Sequence, residues 1–198
     1  MLGGYIHIMN IHSKNISAPK QDRNPAEFAV LGALGKGPAH GYDIYQYLSN
    51  NLGPIWTLGL SQVYALLSRL EQEELVTHQR HEQEKRPDRK IFTLTPKGIK
   101  IFKNWVRQPV PHVRDLRLEF LCKLHFARAR GRGAETRLIK AQMAVLEEKC
   151  QGMHSKTKSV DGFMEIQALR FRLSQTEAAV AWLKGLSESD NKSNQRYS

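Results

Sequence analysis

The chain has 198 residues, of which 40% are hydrophobic and 25% charged, so it can bury a core but is too polar for a membrane protein. No apolar run approaches the roughly 18 residues of a transmembrane helix, and residues 1–12 lack the pattern of a secretory signal. We therefore expect a cytoplasmic protein. The cysteines, Cys122 and Cys150, lie far apart in helical patterns and are expected to be buried thiols.

A net charge of +11 predicts a polyanionic partner, most often nucleic acid. The excess is uneven along the chain. Residues 25–90 carry eight acidic and seven basic side chains, whereas residues 91–133 carry two acidic and ten basic ones. The attraction to a polyanion should therefore come mainly from residues 91–133.

The first part of the chain predicts a flexible arm and then two helices. Residues 1–24 are polar and irregular, which is typical of an arm. Pro25 suits the first position of a helix capped by Asn24, and the glycines at 35 and 37 end that helix. A second short helix is expected over residues 41–50.

Residues 61–75 predict the third helix, after a turn over residues 51–60. Its buried face is formed by apolar residues at helical spacing, namely Val63, Leu66, Leu67 and Leu70. The other face begins with Ser61, Gln62 and Tyr64, whose polar groups can bond phosphates and base edges from a helix N-terminus. Alone, the segment would also fit an ordinary amphipathic helix.

Two short strands and a fourth helix follow. Residues 76–81 and 90–94 are rich in strand-forming residues, and the polar stretch 82–89 between them predicts a hairpin tip. Thr95 and Pro96 then open a helix. This order of elements predicts a mainly α fold with a winged helix-turn-helix domain, with its two-stranded wing, over residues 25–108.

Pro109 and Pro111 mark the expected domain boundary, and residues 112–186 predict a helical domain. Helices are expected over 115–130, 134–153 and 161–186, and a disordered tail over 187–198. Three helices make a thin core, so we expect this domain to share its core with a second chain, although much of the stripe would be ordinary core. The expected dimerisation residues are Leu116, Phe120, Leu124, Ile166, Leu169, Leu173, Val180 and Leu183.

Three segments carry a resemblance to a known family. Residues 29–44 read AVLGALGKGPAHGYDI, residues 60–76 read LSQVYALLSRLEQEELV, and residues 92–98 read FTLTPKG. In this order they resemble the PadR-type transcriptional regulators over about residues 25–107. The helical region fits that family in outline, as its variable dimerisation part.

The resemblance implies a homodimeric regulator, most often a repressor, that binds a two-fold symmetric operator in double-stranded DNA and responds to a small, often aromatic effector. Helix 61–75 would enter the major groove, where Ser61 and Gln62 meet bases and Gln62 can pair two-fold with adenine. Tyr64 resembles the family tyrosine that bonds a phosphate. The full set of candidate DNA-binding residues is Lys36, His40, Tyr42, Ser61, Gln62, Tyr64, Lys85, Arg86, Arg89 and Lys90.

Each of these residues also has an ordinary alternative, such as a solvated charge or a packed ring. Arg69, further along the helix, is expected to pair with neighbouring glutamates rather than to bind DNA. Candidate effector-pocket residues are chosen by residue type alone, and aromatic residues at helical spacing are more often plain core: Trp56, Trp105, Phe120, Phe126 and Trp182.

The chain departs from the family pattern at two places. Glu74 stands where many members have glycine, so we expect the helix to end there without an easy left-handed turn. Gln62-Val63 replaces a common Gly-Thr pair, which indicates a subgroup with its own operator sequence.

Two other functions remain open from the residues: a winged-helix protein-interaction module without operator binding, and a charge-driven binder of any nucleic acid. An enzyme is not expected, nor is a cofactor or a metal. His78 and His81 lie on one strand and would face opposite sides, so they cannot share a metal ion.

We predict that reversing the charge of Lys100 and Lys103 weakens binding to all DNA sequences alike, because the basic stretch would supply attraction without base contacts. Affinities for several duplexes, measured over a range of salt concentrations, test this. A change confined to sequence preference would contradict it.

Overall fold

The computed structural model describes residues 23–83 and 86–194, and the side chains within these ranges except those of residues 80–89 and 189–194. The arm predicted for residues 1–24 therefore lies outside the described residues, apart from residues 23 and 24.

Three helices form the first layer, in the positions that the sequence predicts. The Asn24 side chain accepts a hydrogen bond of 2.9 Å from the Ala26 amide, which caps the first helix as expected. Leu31, Ile44 and Leu67 are buried where the three helices meet. The helices are α1 (Pro25–Leu34), α2 (Gly41–Leu52) and α3 (Leu60–Gln72).

A three-stranded antiparallel sheet forms the wing, in the order β1-β3-β2. Val76 lies opposite Leu94, and Ala39 opposite Phe92. Both long strands continue into the stretch predicted as a hairpin tip, because polar residues can pair across an exposed ladder as well as apolar ones. The strands are β1 (Ala39–His40), β2 (Val76–Gln83) and β3 (Arg86–Leu94).

The end of α3 corrects one expectation. Glu74 adopts the left-handed conformation, with φ of 59°, so the turn that glycine favours forms without glycine. The Leu75 amide donates to the Leu70 carbonyl at 2.8 Å and the Glu74 amide donates to the Glu71 carbonyl at 2.9 Å. These are the two bonds of a Schellman motif, which satisfies carbonyls that the helix end would otherwise leave free.

Helix α4 (Pro96–Trp105) follows the wing, capped by the Thr95 hydroxyl, which accepts from the Gly98 amide at 3.1 Å. A Cβ at Gly98 would lie 2.1 Å from the Leu75 carbonyl oxygen, so glycine is required at this close approach. The Trp105 ring stacks on Phe28 of α1, with ring centroids 4.4 Å apart.

The C-terminal helices differ from the predicted ones mainly in their ends. A short 3₁₀ helix over Val113–Arg117 precedes α5, and α7 runs past residue 186 to Asn194, where a disordered tail was expected. Polar residues can extend a helix that is already formed and packed. The polar composition of residues 187–194 was therefore a poor guide to where α7 ends. The helices are α5 (Glu119–Ala129), α6 (Arg132–Thr157) and α7 (Phe163–Asn194).

The core continues across the proline-rich link at residues 109–111. The buried Gln142 side chain accepts from the Val110 amide at 2.7 Å and donates to the Val110 carbonyl at 3.0 Å, which fixes the link on α6. The Phe126 ring of α5 lies directly on Gly32 of α1. Helix α5 thus belongs to the same core as the winged elements.

None of the helices in the described part of the chain is long and apolar enough to span a membrane.

We predict that Glu74→Gly raises the free energy of unfolding by up to about 1 kcal/mol, because glycine adopts the left-handed conformation without steric cost. The Glu74–Lys97 pair, at 3.6 Å and well exposed, should contribute little that the substitution would remove.

Urea unfolding of Glu74→Gly and of the control Gln72→Gly would measure this difference. Gln72→Gly lies within α3 and should destabilise the protein. Destabilisation by both substitutions would show that Glu74 is not strained.

Candidate nucleic-acid interface

Two exposed tyrosines flank the N-terminal ends of α2 and α3. The Tyr64 ring covers Gly41, where a Cβ would lie 2.5 Å from the ring. Tyr42 and Tyr64 are 52% and 46% exposed, and the Tyr42 hydroxyl accepts from the Gln46 side chain at 2.8 Å. Gly41 thus makes room for the Tyr64 ring. The phenol groups of Tyr42 and Tyr64 both remain accessible to a ligand.

Gln62 is exposed but already holds a hydrogen bond. Its Oε1 accepts from the Gly59 amide at 2.9 Å and so caps the N-terminus of α3. The two-fold pairing with adenine that the sequence predicts uses both ends of the amide, so Oε1 would have to accept a second hydrogen bond while it caps the helix. The Nε2 group can donate to a base while the cap stays closed. Ser61 lies exposed beside it.

The wing strand β3 contacts the residues that precede α2. The His40 Nδ1 atom lies 3.1 Å from the Lys90 carbonyl oxygen, and the Lys90 side chain is exposed. Lys85 lies outside the described residues. Arg86 and Arg89 are placed in β3 by their backbone, and their side chains lie outside the described part.

The acidic end of α3 is paired with arginines, as expected for Arg69. The Arg69 guanidinium contacts Glu73 at 3.2 Å and Glu27 at 3.1 Å. Arg23 contacts the same two carboxylates, at 2.5 Å and 2.7 Å, and its hydrogen bond lowers the pKa of Glu73. Glu27 is buried, and this network ties the end of α3 to α1. Sequence reasoning missed Glu27, although an acid within an apolar helix was a signal for it.

Lys36 lies at a cavity rather than beside the two tyrosines. Its Nζ atom is 4.3 Å from the centre of the Tyr47 ring, a cation–π contact. The cavity, of about 550 Å³, lies between the winged elements and α5. Its apolar wall is formed by Leu94, Ile99, Phe102 and Phe126, and its basic residues are Lys36, Lys103 and Arg130.

Tyr47, which lines this cavity, pairs with a histidine of α5. The Tyr47 hydroxyl lies 2.7 Å from Nε2 of His125 and joins α2 to α5. Burial, and then the charge of Lys36, lower the pKa of His125. Burial raises the pKa of Tyr47. A neutral His125 can accept a hydrogen bond from the Tyr47 hydroxyl, so the pair needs no charge on either residue.

Of the five aromatic residues considered as pocket candidates, one lines this cavity and the other four lie elsewhere. Phe126 lines the cavity, whereas Trp105 and Phe120 are buried in the core. Trp56 is half-buried against the core, and Trp182 is 39% exposed and lies edge-on to Phe120.

The expected dimerisation stripe is largely used within the chain. Leu116, Phe120, Val180 and Leu183 are buried in the core of the chain itself, the alternative that the sequence already left open for much of the stripe. Their part in a contact with a second chain stays a prediction. Four others are half-buried: Leu124, Ile166, Leu169 and Leu173.

Sequence reasoning missed the apolar residues that α7 leaves exposed. Phe163 and Met164 are each 73% exposed, and Phe171 is 64% exposed. They lie in the first half of the helix, next to the half-buried part of the stripe. Large apolar side chains exposed at three positions of one helix make this half of α7 a candidate contact surface.

Both cysteines are free thiols. Cys122 is buried as expected, and burial raises its pKa to about 12. Cys150 is half-buried between α6 and α7.

Three helices and a two-stranded wing extended by β1 define a winged helix-turn-helix protein. The third helix, α3, carries hydrogen-bonding side chains at its exposed N-terminal end. Residues 30–104 match the model of the transcriptional regulator PadR-like family. A relative named negative transcriptional regulator PadR, from Bacillus subtilis, is 30% identical over 81% of this chain and 94% of its own length. A probable transcriptional regulator from Mycobacterium tuberculosis is 22% identical over the same shares.

The chain therefore belongs to the PadR-like family of transcriptional regulators. The crystal structure of Bacillus subtilis PadR with operator DNA is similar at 26% identity, with a TM-score of 0.42, over 82% of this chain and 97% of that one. The structure of the same protein with p-coumaric acid has a TM-score of 0.37, over 82% and 96%.

We predict that His125 makes the fold sensitive to acid. Its pKa is lowered in the fold, so the unfolded chain takes up a proton first, and stability falls as pH drops below about 6.5. His125→Gln keeps an acceptor for Tyr47 but cannot titrate. The difference in unfolding free energy between the two proteins should change from pH 7 down to pH 5; a constant difference would contradict the prediction.

Proposed function

We propose that this protein is a sequence-specific repressor that binds a two-fold symmetric DNA operator as a homodimer. The observation that carries the proposal is the group of exposed hydrogen-bonding side chains at the N-terminal ends of α2 and α3: Tyr42, Ser61, Gln62 and Tyr64. The name of the Bacillus subtilis relative, a negative regulator, supports repression.

Phosphate contacts would hold the protein and base contacts would discriminate. The tyrosine hydroxyls and His40 are suited to phosphates, because they sit at helix N-termini whose amides favour anions. Ser61 and the free Nε2 of Gln62 are suited to base edges. Lys90 and the wing arginines, with exposed lysines of α4, supply further charge. Lys36 is assigned to the cavity instead.

The homodimer is proposed to form through the first half of α7. The exposed Phe163, Met164 and Phe171, with the half-buried Ile166, Leu169 and Leu173, are the residues available for this contact. Two chains joined there could present two reading helices to one operator. The helical part over residues 112–186 thus keeps its proposed role, with Phe163, Met164 and Phe171 added to the expected Ile166, Leu169 and Leu173.

The cavity between α4 and α5 is the proposed site of a small aromatic acid that releases the DNA. Its volume of about 550 Å³ suits a small molecule. Apolar walls suit an aromatic ring, and Lys36, Lys103 and Arg130 suit a carboxylate. The p-coumaric acid complex reported for Bacillus subtilis PadR makes this compound the first to test.

Regulation rather than catalysis is proposed as the activity. Among the side chains that the structure describes, no group of three or more His, Cys, Asp or Glu is placed to hold a metal ion.

A charge-driven binder of any nucleic acid is the second candidate, favoured by the net charge of +11. Selecting bound duplexes from a random pool separates the two: a symmetric enriched sequence supports the repressor, and the absence of enrichment supports the alternative.

We predict that Tyr64→Phe weakens binding of the selected duplex by roughly 10-fold or more, because it removes a hydrogen bond to a charged phosphate while the ring stays on Gly41. Fluorescence anisotropy measures the affinity. Tyr45→Phe, a half-buried position in α2, is the matched control and should bind normally. Equal affinities for wild type and Tyr64→Phe would remove the hydroxyl from the interface.

We predict that p-coumarate binds the protein directly and that Arg130→Gln weakens this binding by roughly 10-fold, because the carboxylate loses a cationic partner. Calorimetry measures the affinity, and Lys97→Gln, which lies on α4 but outside the cavity lining, is the control. Equal losses in both variants would show that the cavity does not hold the carboxylate.

A further inference from the structure

A second cavity lies at the other end of the C-terminal helices. It has a volume of about 650 Å³ and forms where the segment before and within the 3₁₀ helix meets the last turns of α6 and the middle of α7. Its lining is His112, Val113, Arg114, Lys149, Gly152, Met153, Lys156, Arg172, Gln175 and Thr176. We call it the basic cleft. Its lining shares no residue with the cavity between α4 and α5.

The charges of the basic cleft all have one sign. Arg114, Lys149, Lys156 and Arg172 come from three separate elements, and no acidic residue lines the cleft. Of these four cations, Arg114 forms an ion pair within the described part of the chain, with Asp115 at 3.6 Å. Four cations brought to one concave surface repel one another, and an anionic ligand would offset this repulsion.

Gly152 adds an independent observation. It stands inside the 26-residue helix α6, where glycine costs roughly 1 kcal/mol relative to alanine. A Cβ at Gly152 would meet nothing within 4 Å, so packing does not require glycine there. Gly152 lies between Lys149 and Lys156 on one face of the helix. Its missing side chain leaves the backbone open between two ammonium groups.

The shape of the basic cleft favours a small ligand over a nucleic-acid duplex. Its volume falls in the range of small-molecule sites, and three elements surround it. Val113 and Met153 provide apolar surface beside the cations, and Gln175 provides a neutral polar group. Phosphate groups match these features because they carry several charges and accept hydrogen bonds from Arg and Lys.

We propose that the basic cleft binds a small phosphorylated molecule through two or more negative charges. The contacts come from Lys149 and Lys156 on α6 and from Arg172 on α7, with Arg114 closing the third side. The apolar surface accepts the organic part of the ligand, and Gly152 admits a phosphate close to the helix backbone.

Calorimetry on the full-length protein at fixed ionic strength tests the proposal with pyrophosphate and ADP as separate probes. Lys156→Gln and Arg172→Gln should each weaken binding by 10-fold or more. Lys140→Gln, on α6 and outside the cleft lining, should leave it within two-fold. Tighter binding of ADP than of pyrophosphate assigns an organic ligand, and equal binding assigns the phosphate groups alone; both support the site.

Gly152→Ala provides a second readout, with Gly185→Ala in α7 as the matched helical glycine outside the cleft lining. Alanine should raise the unfolding temperature in both variants, because it favours the helix. Only Gly152→Ala should weaken binding of the probe. A structural role for the glycine would not separate affinity from stability in this way.

Three results would overturn the proposal. The first is the absence of binding by either probe, and the second is an equal loss of affinity in Lys140→Gln and Lys156→Gln. The third is a loss of affinity for a DNA duplex in Lys156→Gln and Arg172→Gln with no binding of the small probes. That third result would assign the basic cleft to the DNA backbone.

Discussion

The packing around Trp105 determines how the two parts of the molecule are joined. Its ring stacks on Phe28 of α1, and its Nε1 donates to Glu119 of α5 at 2.9 Å. Lys123, almost fully buried, contacts the same carboxylate at 2.8 Å and lies 5.1 Å from the Trp105 ring. Burial lowers the pKa of Lys123, whereas the Glu119 carboxylate and the Trp105 ring stabilise its charged form. One side chain of α4 therefore fixes α1 and α5 together.

The cavity proposed for an aromatic acid lies beside this junction, and that position offers a physical route to regulation. Phe126 both lines the cavity and rests on Gly32, so its ring is the contact between α5 and the backbone of α1 at this point. Tyr47 and His125 join α2 to α5 across the same space. A ligand wedged there acts on contacts between the two parts while leaving the exposed end of α3 untouched. It releases DNA to the extent that it binds one arrangement of these helices more tightly than the other.

Sequence patterns predicted what local chemistry controls. The cap at Asn24, the cap at Thr95 and the buried face of α3 follow from residue types at fixed spacing, and they appear as expected. The strand β1 was missed because two residues show no alternation. The contact of Lys36 with the Tyr47 ring could not be predicted, because the two residues come close only after α2 packs, and the role of Lys36 in DNA binding stays a prediction. Which residues of the apolar stripe are buried within the chain could not be predicted from periodicity, because a helix that packs on its own chain and one that packs on a partner carry the same pattern. The basic cleft joins residues from three elements and has no local signature.

The hydrogen bond between Gln62 and Gly59 bears on how strictly the proposed operator is read. Strong rejection of a wrong base arises when a reading side chain is left with an unsatisfied polar group. Gln62 is partly protected from that penalty, because its carbonyl oxygen keeps the Gly59 amide as a partner and its Nε2 group alone would be left without one. A mismatch under Gln62 would therefore leave one polar group of the amide unpaired instead of two. At that position the proposed operator should accordingly tolerate more variation than it would under a glutamine whose amide is free at both ends.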